Sequence, residues 1–190
     1  MSGRVRAYIG LGSNMGDSRA ALTNAIRALD ALPGAKVRGV SRLYATKPVG
    51  VIDQPDFMNA VVALDVSSGP DPKTGALALL AALKSIEQAM GRQKRQRWGP
   101  REIDLDLLIF GRHQIDIEPP AEPWLRVPHP ETHERLFVLA PLADLAPGLV
   151  PPGWTETVES ARRRRLVAEG EPAAQVVGTI EWLPKGTSTA

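Results

Sequence analysis

Arg92, Lys94, Arg95, Arg97 and Arg101 crowd a short stretch with no acid among them, and Asp104 and Asp106 follow almost at once. From Ile103 the chain alternates. Ile103, Leu105 and Leu107 share one side of a period of two and the aspartates share the other, which predicts a strand over Asp104 to Phe110. The two carboxylates then point the same way, with Cα atoms about 6 to 7 Å apart. Like charges so placed repel, and partial burial drives one of them toward protonation. A divalent cation removes the conflict: Mg²⁺ takes carboxylates, water and phosphate oxygens, and arginines grip phosphates in bidentate fashion. The chemistry on offer is the handling of a metal-bound nucleotide. The plainer alternative is an acidic pair on a solvent-facing edge strand beside a solubilising loop.

The composition narrows the class. The chain has 190 residues, 43% apolar and 23% charged, enough for one domain with a real core and a tail. Net charge is +2, of which the Arg92 to Arg101 window carries +5, so the basicity is local. A local patch favours a focused anion site over a broad nucleic-acid face. Cysteine is absent, which excludes a disulfide framework and thiolate chemistry. The sequence shows neither a signal-like N-terminus nor an apolar run of bilayer length, and the expected location is cytoplasmic.

Several elements must position these groups. Val5 to Leu11 reads as a strand, Gly12 to Gly16 as a turn, and Asp17 or Ser18 as the cap of a helix whose stripe is Ala21, Leu22, Ala25, Ile26 and Leu29. Gly10, Gly12 and Gly16 fail the dinucleotide fingerprint because Met15 stands where glycine is needed. Lys36 to Tyr44 reads as one strand and Phe57 to Val66 as another. In the latter, Met58, Ala60, Val62, Leu64 and Val66 form the core face, leaving Phe57 and Asn59 on the less apolar one. An aromatic plane beside an amide can stack on a heterocycle and read its edge; a packed phenylalanine beside an amide bonded to nearby backbone fits equally. Asp71-Pro72 starts a second helix, with Leu79, Leu83, Ile86 and Met90 as its stripe and Lys84 and Glu87 as a surface pair. His113 to Ile117 is expected to pair back on the aspartate strand. Leu125 to Pro130 is expected as a rigid proline-bounded segment, in which His129 is either a phosphate donor or a surface histidine. Leu139 to Leu145 reads as a short helix, Arg162 to Arg165 as a solvated helix face, and Val176 to Leu183 as a stray strand, with the end disordered.

The order βαββαβ points to an α+β, ferredoxin-like core with additional C-terminal strand and helix elements. With that order in place, RQKRQRWGPREIDLDLL, together with AYIGLGSNMGD, PVGVIDQPDFMNAV and VPHPETHERLFVLAPLADLAP, resembles the 6-hydroxymethyl-7,8-dihydropterin pyrophosphokinase family from about Val5 to Pro152. The resemblance implies a pyrophosphokinase domain over 1–153, with 154–190 as a partly disordered extension. It also implies transfer of the β,γ-pyrophosphoryl group of ATP to the pterin hydroxymethyl group in folate biosynthesis. Arg92, Arg101, Asp104 and Asp106 would form the catalytic set, and the two aspartates would bind a pair of Mg²⁺ ions on ATP. Glu87, Lys94, Trp98, Arg101, Leu107, His129 and Arg135 would contact ATP. Phe57 and Phe137 would stack on the pterin and Asn59 read its edge, with backbone contacts from Thr46 and Val49. The chain departs from the family pattern at Lys94, Phe57, Pro130 and Lys47, which replace a frequent arginine, tyrosine, tyrosine and proline. The resemblance implies a monomer acting on small molecules, not on nucleic acid or a membrane.

The rival reading is a small nucleic-acid-binding module, since ferredoxin-like folds host RNA binders and the basic loop carries Trp98. The carboxylates beside that loop argue against it, because they repel a phosphate backbone unless metal intervenes.

Overall fold

A computed structural model describes residues 3–48, 53–93, 99–118, 123–170 and 173–183. The central strand β1 (Arg4–Ser13) lies between β4 (Phe57–Ser67) and β5 (Asp104–Phe110), antiparallel to both. β2 (Lys36–Val40) and β3 (Leu43–Thr46) both pair with β4, and β8 (Gln175–Gly178) adds an outer strand beside β3. With α1 (Ser18–Asp30) and α2 (Pro72–Ala89) as the crossovers, the order is βαβββαβ, the expected βαββαβ with its second strand divided in two.

Both helices start where their caps place them. The Asp17 carboxylate accepts from Ala20 N–H at 3.0 Å, and that of Asp71 from Thr74 N–H at 2.9 Å, each satisfying a donor the helix cannot. Their apolar stripes cover one face of the sheet. Leu22, Ile26 and Leu29 of α1 and Leu79, Leu83 and Ile86 of α2 meet Ala60, Val62 and Leu64 of β4 and Leu105 and Leu107 of β5. Each fully buried Leu or Ile contributes about 1.5 to 3 kcal/mol.

The other face is divided. Val61 and Ala63, on the side of β4 expected to be less apolar, are buried in a second core with Tyr8, Leu108 and Ile109. α3 (Leu136–Leu145) and α4 (Val158–Glu169) cover this part, while the rest of the face stays open as a cavity. β5 serves both halves through a bulge. Ile9 pairs with Leu107 and Tyr8 with Ile109, so Leu108 is the extra residue, and the strict alternation ends there.

Several expectations are corrected. Gly12, expected to open the turn, lies within β1, and the turn is made at Gly16, whose φ is +61°. Lys36 to Tyr44 is not one strand: it breaks at Ser41, whose backbone N–H donates to Val61 O and whose hydroxyl accepts from Val61 N–H, both at 2.9 Å. A side chain there replaces a rung of the ladder. His113 bridges to Phe110, but β6 (Ile115–Ile117) pairs with β7 (Leu125–Val127), so the proline-bounded segment includes a strand. α3 begins at Leu136, not Leu139. The strand expected over Val176 to Leu183 is β8, at Gln175–Gly178. Residues beyond 153 pack onto the same body: Val158 and Ala161 of α4 are fully buried, and β8 extends the sheet. The expected disordered end, Lys185 to Ala190, lies outside the described residues.

Candidate functional site

The open half of the sheet face is a cavity of about 430 Å³. Gly10 and Gly12 of β1 form its floor, where an added side chain would crowd its neighbours. A Cβ on Gly12 would stand 3.1 Å from Asn59 Oδ1, and one on Gly10 3.3 Å from Leu108. Asp104 and Asp106 enter from β5, Phe57 and Asn59 from β4, and Thr46 from the end of β3. A fourth wall comes from His129 and Glu131, which bracket the start of a short 3₁₀ helix (Pro130–Glu134), and from Arg135 and Phe137 at the start of α3.

One end is charged. Asp104 is paired with Arg92, 2.7 Å from Asp104 Oδ1, and with Arg101 on its other oxygen. Arg92 also bonds Glu87. Burial opposes the Arg92 charge, but Asp104 and then Glu87 outweigh it, so the guanidinium is held above its ordinary value. Asp106 has the opposite problem: burial first, and the Asp104 charge second, push its carboxyl up to about 6, with Lys84 pulling the other way. Two aspartates in conflict, one of them held by arginines, suit a divalent cation whose remaining ligands are water and phosphate oxygens. Among the described residues no cluster of three or more His, Cys, Asp or Glu could hold a metal by itself.

The surface pair expected of Glu87 is corrected, because this side chain is 3% exposed. Its Oε1 accepts from Leu105 N–H at 2.7 Å and from Lys84 at 3.0 Å, and it also pairs with Arg92. Glu87 is thus a buttress behind β5, absent from the cavity wall. Asn14, which no motif singles out, works the same way from the other side. Its Oδ1 accepts from Arg101 N–H at 2.8 Å and its backbone N–H donates to Arg101 O at 3.1 Å, which fixes the entry to β5. Its place in the stretch AYIGLGSNMGD, just after a strand, is the signal that could have marked it. Trp124, 54% exposed at the rim, likewise carries no mark in the sequence.

The other end is flat and amidic. Asn59 Nδ2 donates to Thr46 Oγ1 at 2.7 Å, which sets the amide's orientation between Phe57 and the Gly12 floor. The Arg135 guanidinium lies over the Phe137 ring, 5.5 Å from its centroid, and donates to Glu131 at 2.6 Å. His129 N–H donates to Leu108 O at 2.8 Å, and its Nδ1 accepts from Glu131 N–H at 3.3 Å. Burial holds the His129 ring below its ordinary value. With Nδ1 accepting, the neutral ring carries its proton on Nε2 and can donate there.

The fold therefore gathers Arg101, Asp104, Asp106, His129, Arg135, Thr46, Phe57, Asn59 and Phe137 around one cavity, with Arg92 bonded to Asp104. It does not bring the Leu107 side chain there, since that is buried in the core on the opposite face. Val49, Lys94 and Trp98 lie outside the described residues.

Comparison with known proteins identifies the family and the fold. The family model described as 7,8-dihydro-6-hydroxymethylpterin-pyrophosphokinase (HPPK) matches residues 8–147. The 2-amino-4-hydroxy-6-hydroxymethyldihydropteridine pyrophosphokinase of Pseudomonas aeruginosa is 45% identical over 144 residues, 76% of this chain and 82% of that protein. The enzyme of the same name from Methylorubrum extorquens is 46% identical over 156 residues, 82% of this chain and 90% of that one. Among solved structures, wild-type Plasmodium falciparum HPPK-DHPS with pterin and p-hydroxybenzoate shares the fold, with a TM-score of 0.68 at 17% identity over 88% of this chain. The chain spans 44% of that longer protein. With the family match covering well over half of its length, the chain belongs to the 7,8-dihydro-6-hydroxymethylpterin-pyrophosphokinase family.

Proposed function

We propose that the chain transfers the β,γ-pyrophosphoryl group of ATP to the hydroxymethyl group of 6-hydroxymethyl-7,8-dihydropterin, leaving AMP. The observation that carries this reading is the single cavity with a carboxylate and arginine end and a flat, amidic end. The pterin lies at the second end, its ring against Phe57 and Phe137 and its edge on the Asn59 amide. A hydroxyl so held reaches the β-phosphorus in line. A bond forms from its oxygen to that phosphorus, the bridge to the α-phosphate breaks, and the bridging oxygen leaves with AMP.

The protein supplies position and charge. Asp104 and Asp106 are the residues that would hold Mg²⁺, and their donor set fits it. The ion, when bound, neutralises charge building between attacking and leaving oxygens. Arg92 and Arg101 exchange part of their contact with Asp104 for phosphate oxygens, and His129 Nε2 and Arg135 hold the remaining ones. Asp104 stands nearest to a role in accepting the hydroxyl proton. Leu107 would reach the nucleotide only through its backbone, because its side chain is buried in the core on the opposite face of the sheet. On the likeness to the bacterial relatives, we place the reaction in the cytoplasm. Among the described residues no helix is long and apolar enough to cross a membrane.

The test is AMP release from ATP with Mg²⁺, with and without the pterin, for wild type and Asp106→Ala. AMP formed only with the pterin, and lost in the variant, is the expected result. A folded protein that binds ATP yet forms no AMP with the pterin would overturn it.

A further inference from the structure

Three of the candidate substrate contacts, His129, Arg135 and Phe137, fall within one short segment, with Glu131 beside them on the cavity wall. Its core is a five-residue 3₁₀ helix, too short to hold itself. Among the described residues its upstream anchor is the bond from His129 N–H to Leu108 O, and its own backbone bonds are local, such as Thr132 N–H to His129 O. The start of α3 is likewise uncapped from within, since Arg135 at the cap position makes no side-chain capping bond.

The missing support comes from α4, which lies beyond the residues matched by the family model. Arg164 Nη2 donates to His133 O at 3.2 Å, and Arg164 Nε to Glu156 at 3.2 Å. Glu156 in turn stands 2.9 Å from the His133 ring, which packs against Trp154. Arg165 reaches Glu134 at 3.3 Å and Glu169 at 2.8 Å. Glu169 then accepts from Leu136 N–H at 3.3 Å, placing a carboxylate on the first amide of α3, where the helix end is positive.

We propose that Arg164, Arg165 and Glu169 are positioning residues that brace the segment from His129 to Phe137 in its substrate-competent geometry. An exposed ion pair alone contributes little to stability. This set differs because two of its links end on backbone atoms of the segment that carries the phosphate contacts. The neighbouring arginines do not take part, since Arg162 and Arg163 pair with Glu159 inside α4. The inference rests on the nucleotide reading of His129 and Arg135.

The experiment compares wild type, the double variant Arg164→Ala/Arg165→Ala, Glu169→Gln, and Arg163→Ala, which removes an arginine from the same helix. Three quantities are read on each full-length protein: melting temperature, amide exchange over 133–139, and the Kd and KM for ATP. The double variant is expected to exchange faster at 133–139 and to bind ATP about tenfold more weakly. Its melting temperature should fall only slightly, and kcat at saturating ATP should stay within about twofold, since a misplaced binding wall weakens ground-state contacts first. Glu169→Gln, which keeps an acceptor for Leu136 N–H, should lie between, and Arg163→Ala should match wild type. Unchanged ATP affinity in the double variant, or an equal loss in Arg163→Ala, overturns the proposal. A wild type that binds no ATP overturns the nucleotide reading and this one with it. That failure is recognised because it occurs with exchange over 133–139 still slow.

Discussion

Replacing Asp106 by asparagine should make the metal-free protein more stable while removing its activity. The folded protein holds this carboxyl at about 6, against 3.8 for an unperturbed aspartate. The native state therefore binds its proton more tightly than the unfolded chain does. Stability contributed by such a group is present at low pH and is lost as pH rises from about 4 through about 6. At 1.36 kcal/mol per pH unit, the difference corresponds to a ceiling of about 3 kcal/mol above pH 7. The amide keeps the shape and removes the charge that burial and Asp104 oppose. Urea denaturation in EDTA should show Asp106→Asn more stable than wild type by about 1 to 3 kcal/mol at pH 8, with the gap shrinking below about 1 kcal/mol near pH 4. Adding Mg²⁺ with a non-hydrolysable ATP analogue should reverse the order, because the wild type gains binding free energy that the variant lacks. A variant destabilised equally at both pH values would refute the reasoning, since the carboxyl would then act through packing or hydrogen bonds and not through its charge.

Other substitutions separate the two ends of the cavity. Arg101→Ala should lower kcat by about 10² to 10³-fold with pterin affinity little changed, measured by AMP formation and by equilibrium pterin binding. Gly12→Ala should displace the Asn59 amide, 3.1 Å from the added carbon, and raise the pterin KM several-fold while ATP binding holds; an unchanged pterin KM would remove Asn59 from the recognition surface. Leu83→Ala, fully buried between α2 and the sheet, should cost about 2 to 5 kcal/mol in urea denaturation without altering KM in the folded fraction.

The sequence discloses what depends on local pattern. Alternation over Ile103 to Leu107 places both aspartates on one face, and the Asp71-Pro72 pair locates the start of α2, because each follows from neighbours along the chain. What stays hidden depends on partners far away in sequence. Glu87 is buried because Leu105 N–H on the edge of β5 needs an acceptor, and no helical stripe reveals that. The break between β2 and β3 is made by the Ser41 side chain acting as backbone toward Val61. The β6 and β7 pairing joins segments across prolines that locally read as irregular. The cavity wall at His129 to Phe137 is legible from its residue types, whereas its support from α4 rests on charge pairs between distant segments.

The bulge at Leu108 acts as a frame setter for the whole site. Ahead of it, a two-residue period sends Asp104 and Asp106 into the cavity; behind it, Ile109 takes a place in the second core, and the carbonyl of the extra residue holds His129. Chain length between Asp104 and Leu108 is therefore quantised. Deleting Leu107 would turn both carboxylates toward α1 and α2 and bring Leu105 into the cavity. Insertions are better absorbed past Gly111, where the chain has already left the sheet. A designer grafting this carboxylate pair onto another sheet would have to carry the bulge along with it.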